Sequence, residues 1–315
     1  MQVSELKYYF LFIFLISAIN AMHCQTDEHL LGMLYQAEGF HFKYELKYPD
    51  KKVKLPSDLK EISGIQYLGE GFILGIEDEY GIIYLIDLDK GKIEKEINFA
   101  DKGDYEGIAI HENTVWVLKS NGNLYRVKDY NKGKDKRKTK KFETTLSKRN
   151  DAEGLAYDAA NKRLLIACKG YPFIDDRDGK HTKAIYAFYL EDEKFDPEPI
   201  LLINLKQIQD LKDYNWFSSI GVSIMSWIDE NKGDVSFQPS DIAVHPHTGN
   251  YYVIGAVGDL LMVYSPNGKL LAVVDLIDGV FKQAEGISFD NDANMYISNE
   301  GGEGKANILI FINKK

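Results

Sequence analysis

Cysteine is nearly absent: Cys24 and Cys168 are the only two in 315 residues. One stands in the leader and the other inside Leu164-Leu-Ile-Ala-Cys168, so no disulfide framework is available, and Cys168 reads as a buried strand thiol. Positive charge is in deficit, with a formal net charge of −10, which argues against nucleic acid as a partner. Long apolar runs are missing too. The longest, Tyr8 to Ile19 behind Lys7, is about a dozen residues, the length of a secretory h-region and short of the ~20 that span a bilayer. Gly-x-Ser-x-Gly, a phosphate loop and a dinucleotide fingerprint are all absent, which removes the common signatures of α/β hydrolases and nucleotide binders.

The leader, residues 1–24, predicts export to the periplasm or cell envelope. Its fate is open three ways: cleavage near Ala18 or Ala21, retention as an anchor that ties residues 8–24 to the membrane, or lipidation at Cys24, which His23 opposes by standing where a small residue is needed. Residues 25–39 read as a linker, and 40–315 as one domain.

What the chain does have is a phrase that returns five times: Glu61-Ile-Ser-Gly-Ile65, Asp104-Tyr-Glu-Gly-Ile-Ala-Ile110, Asp151-Ala-Glu-Gly-Leu-Ala-Tyr157, Gln238-Pro-Ser-Asp-Ile-Ala-Val244 and Gln283-Ala-Glu-Gly-Ile-Ser-Phe289. Aligned on the carboxylates Glu61, Glu106, Glu153, Asp241 and Glu285, the intervals are 45, 47, 88 and 44 residues. A period of that size marks a unit that buries its faces only by stacking on copies of itself. Within one period four short apolar runs alternate with turn residues: Glu106 to Ile110, Thr114 to Leu118, Asn123 to Val127 and Phe142 to Leu146. The fold class is therefore all-β, a β-propeller of four-stranded blades whose edges are protected radially.

Five blades are expected, with six as the alternative hidden in the long interval. That interval holds Phe217, Ile220, Ile224, Trp227 and Ile228 at helical spacing, so about 207–233 reads as a helical insertion, with Trp216, Phe217 and Trp227 as a plug over the channel. The last period has only three strands, and the alternating segment from Phe40 to Lys54 is expected to supply the fourth and close the ring.

Antiparallel alternation puts the five carboxylates on one face, together with the loops between second and third strands. The largest insertions fall on that upper face: Lys169 to Lys183, with Asp175, Asp176, Asp178 and His181, and the helical segment. A rim of Asp78, Glu79, Lys119, Lys169, Asn299 and Glu300 varies from blade to blade, as ligand recognition requires. Converging carboxylates must be protonated, hydrogen-bonded or neutralised. An oxygen-only set would suit Ca²⁺; a residue repeated in every blade reads more naturally as a latch accepting backbone N–H bonds, and some of the five can be one and some the other. His245-Pro-His247 lies on the opposite face and reads as a turn. Lys132 to Lys141 reads as a solvated hairpin, or as a docking patch for an anionic surface.

These phrases, together with Leu55-Pro-Ser-Asp-Leu-Lys-Glu-Ile-Ser-Gly64 and Pro239-Ser-Asp-Ile-Ala-Val-His-Pro246, resemble the SdiA-regulated or YjiK-like family and, more distantly, the esterase-like phytase propellers. The resemblance implies an exported or membrane-associated propeller, calcium at its carboxylates, and an activity that the family leaves unassigned. Two functions follow as expectations: a calcium-stabilised module that binds a ligand or an envelope protein, or a Ca²⁺-dependent hydrolase of a lactone, ester or phosphoester with Asp78 or Glu300 as base. No residue is assigned as catalytic.

Overall fold

A computed structural model describes residues 32–134, 137–174, 179, 181–210 and 236–314. The chain enters with β1 (Met33–Gln36) and β2 (Lys51–Lys54). Blade one follows as β3 (Ile62–Gly69), β4 (Phe72–Glu77), β5 (Ile82–Asp87) and β6 (Lys92–Asn98), and blade two as β7 (Tyr105–His111), β8 (Thr114–Lys119), β9 (Leu124–Lys128) and β10 (Lys138–Phe142). Blade three is β11 (Ala152–Asp158), β12 (Arg163–Cys168), β13 (Thr182–Tyr189) and β14 (Lys194–Asn204). Blade four is β15 (Asp241–Val244), β16 (Tyr251–Gly255), β17 (Leu260–Tyr264) and β18 (Leu270–Asp275), and the last is β19 (Ala284–Phe289), β20 (Met295–Asn299) and β21 (Asn307–Phe311). The fold is a five-bladed propeller, and each phrase begins an innermost strand.

The period-two alternation of each strand explains the stacking. Alternate residues face opposite neighbours, so one apolar cluster forms at each blade interface; Ile73 and Ile308 meet between the first and last blades, Leu74 and Val115 between the first and second. Burial fades outward. The outer strands β6 and β10 are mostly exposed lysine and glutamate, and charge on a free edge discourages pairing with another sheet. That rule corrects the expected fourth strand of blade two. It is Lys138–Phe142, paired Lys140 to Arg126 and Phe142 to Leu124, not Phe142 to Leu146, because an edge strand has no need of an apolar face.

Ring closure is as expected in kind: β2 pairs antiparallel with β21, Val53 opposite Ile308. Its extent differs. Only Lys51–Lys54 is strand; the alternation from Phe40 to Leu46 is an unpaired strap whose Phe42, Tyr44 and Leu46 fill the groove between blades four and five, with the Tyr44 hydroxyl donating to the Ala293 carbonyl at 2.7 Å. Inside the stretch expected as linker, β1 adds a fifth strand to blade four through β18. Of the helical insertion, a short helix Leu205–Asp210 is described; the rest, with Trp216, Phe217 and Trp227, lies outside the described residues, as do the leader and Asp175, Asp176 and Asp178. No helix among the described residues is long and apolar enough to cross a membrane.

At the axis the inner strands approach one another so closely that a side chain has no room. A Cβ on Gly107 would sit 2.6 Å from the Leu155 Cβ, and one on Gly154 would sit 2.8 Å from the Asp241 Cα. Asp241 stands where these blades have glycine, and Ser240 takes the place of their glutamate, a one-residue correction to the carboxylate alignment. The Asp241 side chain is fully buried and accepts three backbone N–H bonds: from Leu155 of blade three at 3.2 Å, from Ile242 of its own blade at 2.8 Å and from Ile287 of blade five at 2.8 Å. Beside it the Ser240 hydroxyl donates to the Ala284 carbonyl at 2.7 Å. Asp241 is thus a latch across three blades. Losing it would strand buried N–H donors, so Asp241→Ala is expected to destabilise by about 2–5 kcal/mol, read as a lower urea midpoint, with Ser240→Ala costing less. An unchanged midpoint for Asp241→Ala would refute the latch.

Candidate functional site

The upper mouth is built by a repeated irregularity. Register slips between Tyr105 and Gly107, Ala152 and Gly154, and Ala284 and Gly286, leaving Glu106, Glu153 and Glu285 as the extra residues of three bulges. A bulge turns a side chain out of the sheet's alternation, and here it presents three glutamates around one opening. Blade one carries Ser63 at that position; Glu61 lies two residues earlier, exposed, 3.7 Å from the Lys60 ammonium. The five carboxylates therefore do not form one ring.

Lys169, the residue after β12, reaches back to Glu153 at 3.1 Å. Its backbone is fixed from below: the buried Lys183 donates to the Lys169 carbonyl at 2.5 Å and to Gly170 at 3.4 Å. Asn150 holds the start of the same insertion through the carbonyls of Tyr171 and Phe173, at 3.1 and 3.2 Å. Among the described residues Lys169 is the cation whose charge acts on Glu106, Glu153, Asp151, Glu285 and Glu300 alike.

The acidities of these carboxyls are set first by burial, with neighbouring charges adding to the rise at Glu106, Glu153 and Glu300. Burial first, then the charges of Glu153 and Asp104, pushes the Glu106 carboxyl far up. Burial also raises Glu153, with Lys169 pulling it back and Asp151 and Glu285 adding to the rise. Burial, followed by Glu285, Glu61 and Asp78, lifts Glu300 to about 7. Asp78 rises mainly by burial, and its Oδ1 is buried without a hydrogen-bond partner. Asp241, below them, is raised by burial and held back by its three N–H donors.

Of the expected rim, Asp78, Lys169 and Glu300 share this electrostatic cluster. Glu79 is exposed and pairs with Lys102 at 3.7 Å, the Lys119 ammonium lies 5.5 Å above the Tyr105 ring, and Asn299 is buried against Asn307 at 3.3 Å. Asp104 and Asp151 belong to the mouth and were missed, although both precede the glutamate by two residues in the repeated phrase. Away from the mouth, the buried His245 ring accepts from the backbones of His247 and Thr248, both at 3.3 Å, so this pair shapes a turn, and burial lowers its pKa to about 4. Cys168 is buried and free, its thiol pushed up by burial.

A resident calcium does not fit this donor set. Ca²⁺ takes six to eight oxygens, whereas Asp241 is committed to backbone N–H groups, Glu153 to Lys169 and Glu61 to the outside; among the described residues no three His, Cys, Asp or Glu side chains form a metal-holding group.

The site and scaffold together define a five-bladed propeller with a carboxylate mouth. No family model and no curated protein matches the chain. Solved structures do: glutaminyl cyclase of Myxococcus xanthus is 10% identical with a TM-score of 0.51, covering 84% of this chain and 94% of that one. A PQQ-bound aldose sugar dehydrogenase of Streptomyces coelicolor is 12% identical with a TM-score of 0.49, over 84% and 97%, and a nidogen/laminin complex gives 13% and 0.47, over 76% and 72%. At such identities the likeness is one of fold.

The raised carboxyls set a pH dependence. Glu300 holds its proton more tightly folded, at about 7, than at the ordinary 4.5; it is neutral in both states in acid, and as pH climbs through that window the unfolded chain ionises first, so stability falls. Glu300→Gln is therefore expected to gain in urea midpoint over the wild type between pH of about 5 and 8. Parallel profiles for the two proteins would contradict this.

Proposed function

We propose that the protein is an exported binding propeller that takes its ligand by a cationic group, an ammonium or guanidinium, at the upper mouth. One observation carries the reading: three bulged glutamates, with Asp78, Asp151 and Glu300 in the same cluster, gather at one opening where, among the described residues, Lys169 alone pairs with one of them. A ligand cation would relieve their repulsion and displace protons. The leader and the resemblance to the SdiA-regulated group support export and a place in the envelope. The hydrolase alternative needs a metal with an open position, and the pairing of Glu153 with Lys169 at 3.1 Å weighs against it.

Calorimetry with spermidine, arginine methyl ester and calcium chloride, each titrated separately, tests this. An organic cation is expected to bind more tightly at pH of about 8 than 6, releasing protons, and about tenfold more weakly to Glu153→Gln or Glu285→Gln. Calcium as the sole ligand would replace the proposal with the metal reading. Affinities indifferent to both substitutions would end it.

A further inference from the structure

Opposite the mouth, on the lower face, a cleft of about 520 Å³ opens between blades two and three. Blade two supplies its floor through Trp116 and Arg126, and blade three closes it with Tyr157 and the hairpin ends that carry Lys162 and Glu191. None of this belongs to the carboxylate cluster, and its lining carries three cations, Arg126, Lys128 and Lys162, against two carboxylates, Glu112 and Glu191.

Arg126 is fixed in place. Its guanidinium lies 5.0 Å above the Phe142 ring and 5.6 Å from that of Trp116, and it is ion-paired to Glu193, which also holds Lys140 at 2.6 Å. Two cations thus share one carboxylate. Lys128 and Lys162 line the cleft with no ion pair of their own among the described residues, and Lys138 stands opposite Lys128 in the sheet register. Direct hydrogen bonds from Lys140 and Arg126 hold Glu193 below the usual carboxylate range, and one from Lys132, with smaller help from the charges of Lys138 and Lys128, does the same to Asp129. In a chain of net charge −10 this is a local cationic surface.

The cleft is not merely charged. The His111 and Tyr157 rings stack at 4.3 Å, inclined by 32°, and make a half-buried aromatic wall. Thr114, Glu112 and Glu191 add neutral and anionic acceptors. Inorganic phosphate would use the lysines and leave the aromatic wall and the two glutamates unexplained, whereas a fatty acid would have no use for the acceptors. A sugar acid uses all three: its C–H face lies on the rings, its hydroxyls donate to Glu112 and Glu191, and its carboxylate or sulfate meets Lys128 and Lys162. The volume is that of an ordinary small-ligand pocket, roughly two to three sugar rings, and the lysines of β10 continue the cationic surface outward from it.

We propose that this cleft binds an acidic polysaccharide, carboxylated or sulfated, with a short stretch of the chain seated against Tyr157 and its anionic groups on Lys128 and Lys162. Trigalacturonate and a heparin-derived tetrasaccharide are the probes for the two anionic groups, with cellotetraose as the neutral control and a single-stranded oligothymidylate as the competing polyanion; calorimetry and the fluorescence of the protein's tryptophans report binding. One of the acidic oligosaccharides is expected to bind, to weaken as salt is raised, and to lose about tenfold in affinity in Lys128→Glu and in Lys162→Glu. Lys269→Glu, an exposed change on blade four, is expected to leave it unaltered. Melting temperatures within error of the wild type verify that the cleft variants fold. Equal affinity for cellotetraose, binding of oligothymidylate alone, absence of binding by both acidic probes, or insensitivity to both cleft variants would each overturn the proposal.

Discussion

Everything in this molecule hangs on how closely five strands approach at an axis. Sheets that meet radially leave almost no volume at the centre, so the inner strands touch backbone to backbone, and the residue at the point of contact is glycine in four blades. The fourth blade breaks the rule with Asp241, and the break is useful. A carboxylate there satisfies N–H groups of blades three, four and five, which would otherwise be buried donors facing one another. The same carboxylate divides the channel: beneath it lies a cavity of about 140 Å³ bordered by Leu155, Ile242 and Ile287, and above it the three bulged glutamates gather. Latch and mouth are consecutive levels of one repeated phrase.

The blade count and the closing strand were legible because a period of about 45 residues and alternating hydrophobicity are properties of the backbone plan. The carboxylate ring was not, and the reason is specific. Aligning the fourth phrase on its carboxylate set Asp241 against Glu106, whereas the backbone sets Ser240 there; in a strand that bulges, a one-residue offset changes which side chains reach the axis. Glu61 failed likewise, two positions early. The strap from Phe40 to Leu46 alternates because alternate residues enter a groove, and sequence does not distinguish that from pairing. The strand Lys138–Phe142 was hidden because an outer strand is free to be polar.

The charges are sorted as well as balanced. At the mouth, burial and mutual repulsion push carboxyls up; on the lower flank of blades two and three, lysines hold exposed carboxyls down. These are opposite departures within one chain. Neither is needed to hold blades together, since each interface already has its apolar cluster. The two regions differ in cause: burial comes first at the mouth, whereas on the lower flank direct ion pairs to Lys140, Arg126 and Lys132 come first.

A repeat protein gains a function where its repeats stop being equivalent. At the mouth, serine replaces glutamate in blades one and four, so the glutamates come from blades two, three and five and face an opening that lacks fivefold character. Blade three adds Lys169, at the start of an insertion whose backbone Lys183 and Asn150 hold. Burying a second amine beneath the first is unfavourable, and burial lowers the Lys183 pKa accordingly. Such an arrangement is better explained by the positioning of Lys169 than by stability: a lysine free to swing would pair with whichever glutamate was nearest, whereas one held beside Glu153 leaves Glu106 and Glu285 open to another partner.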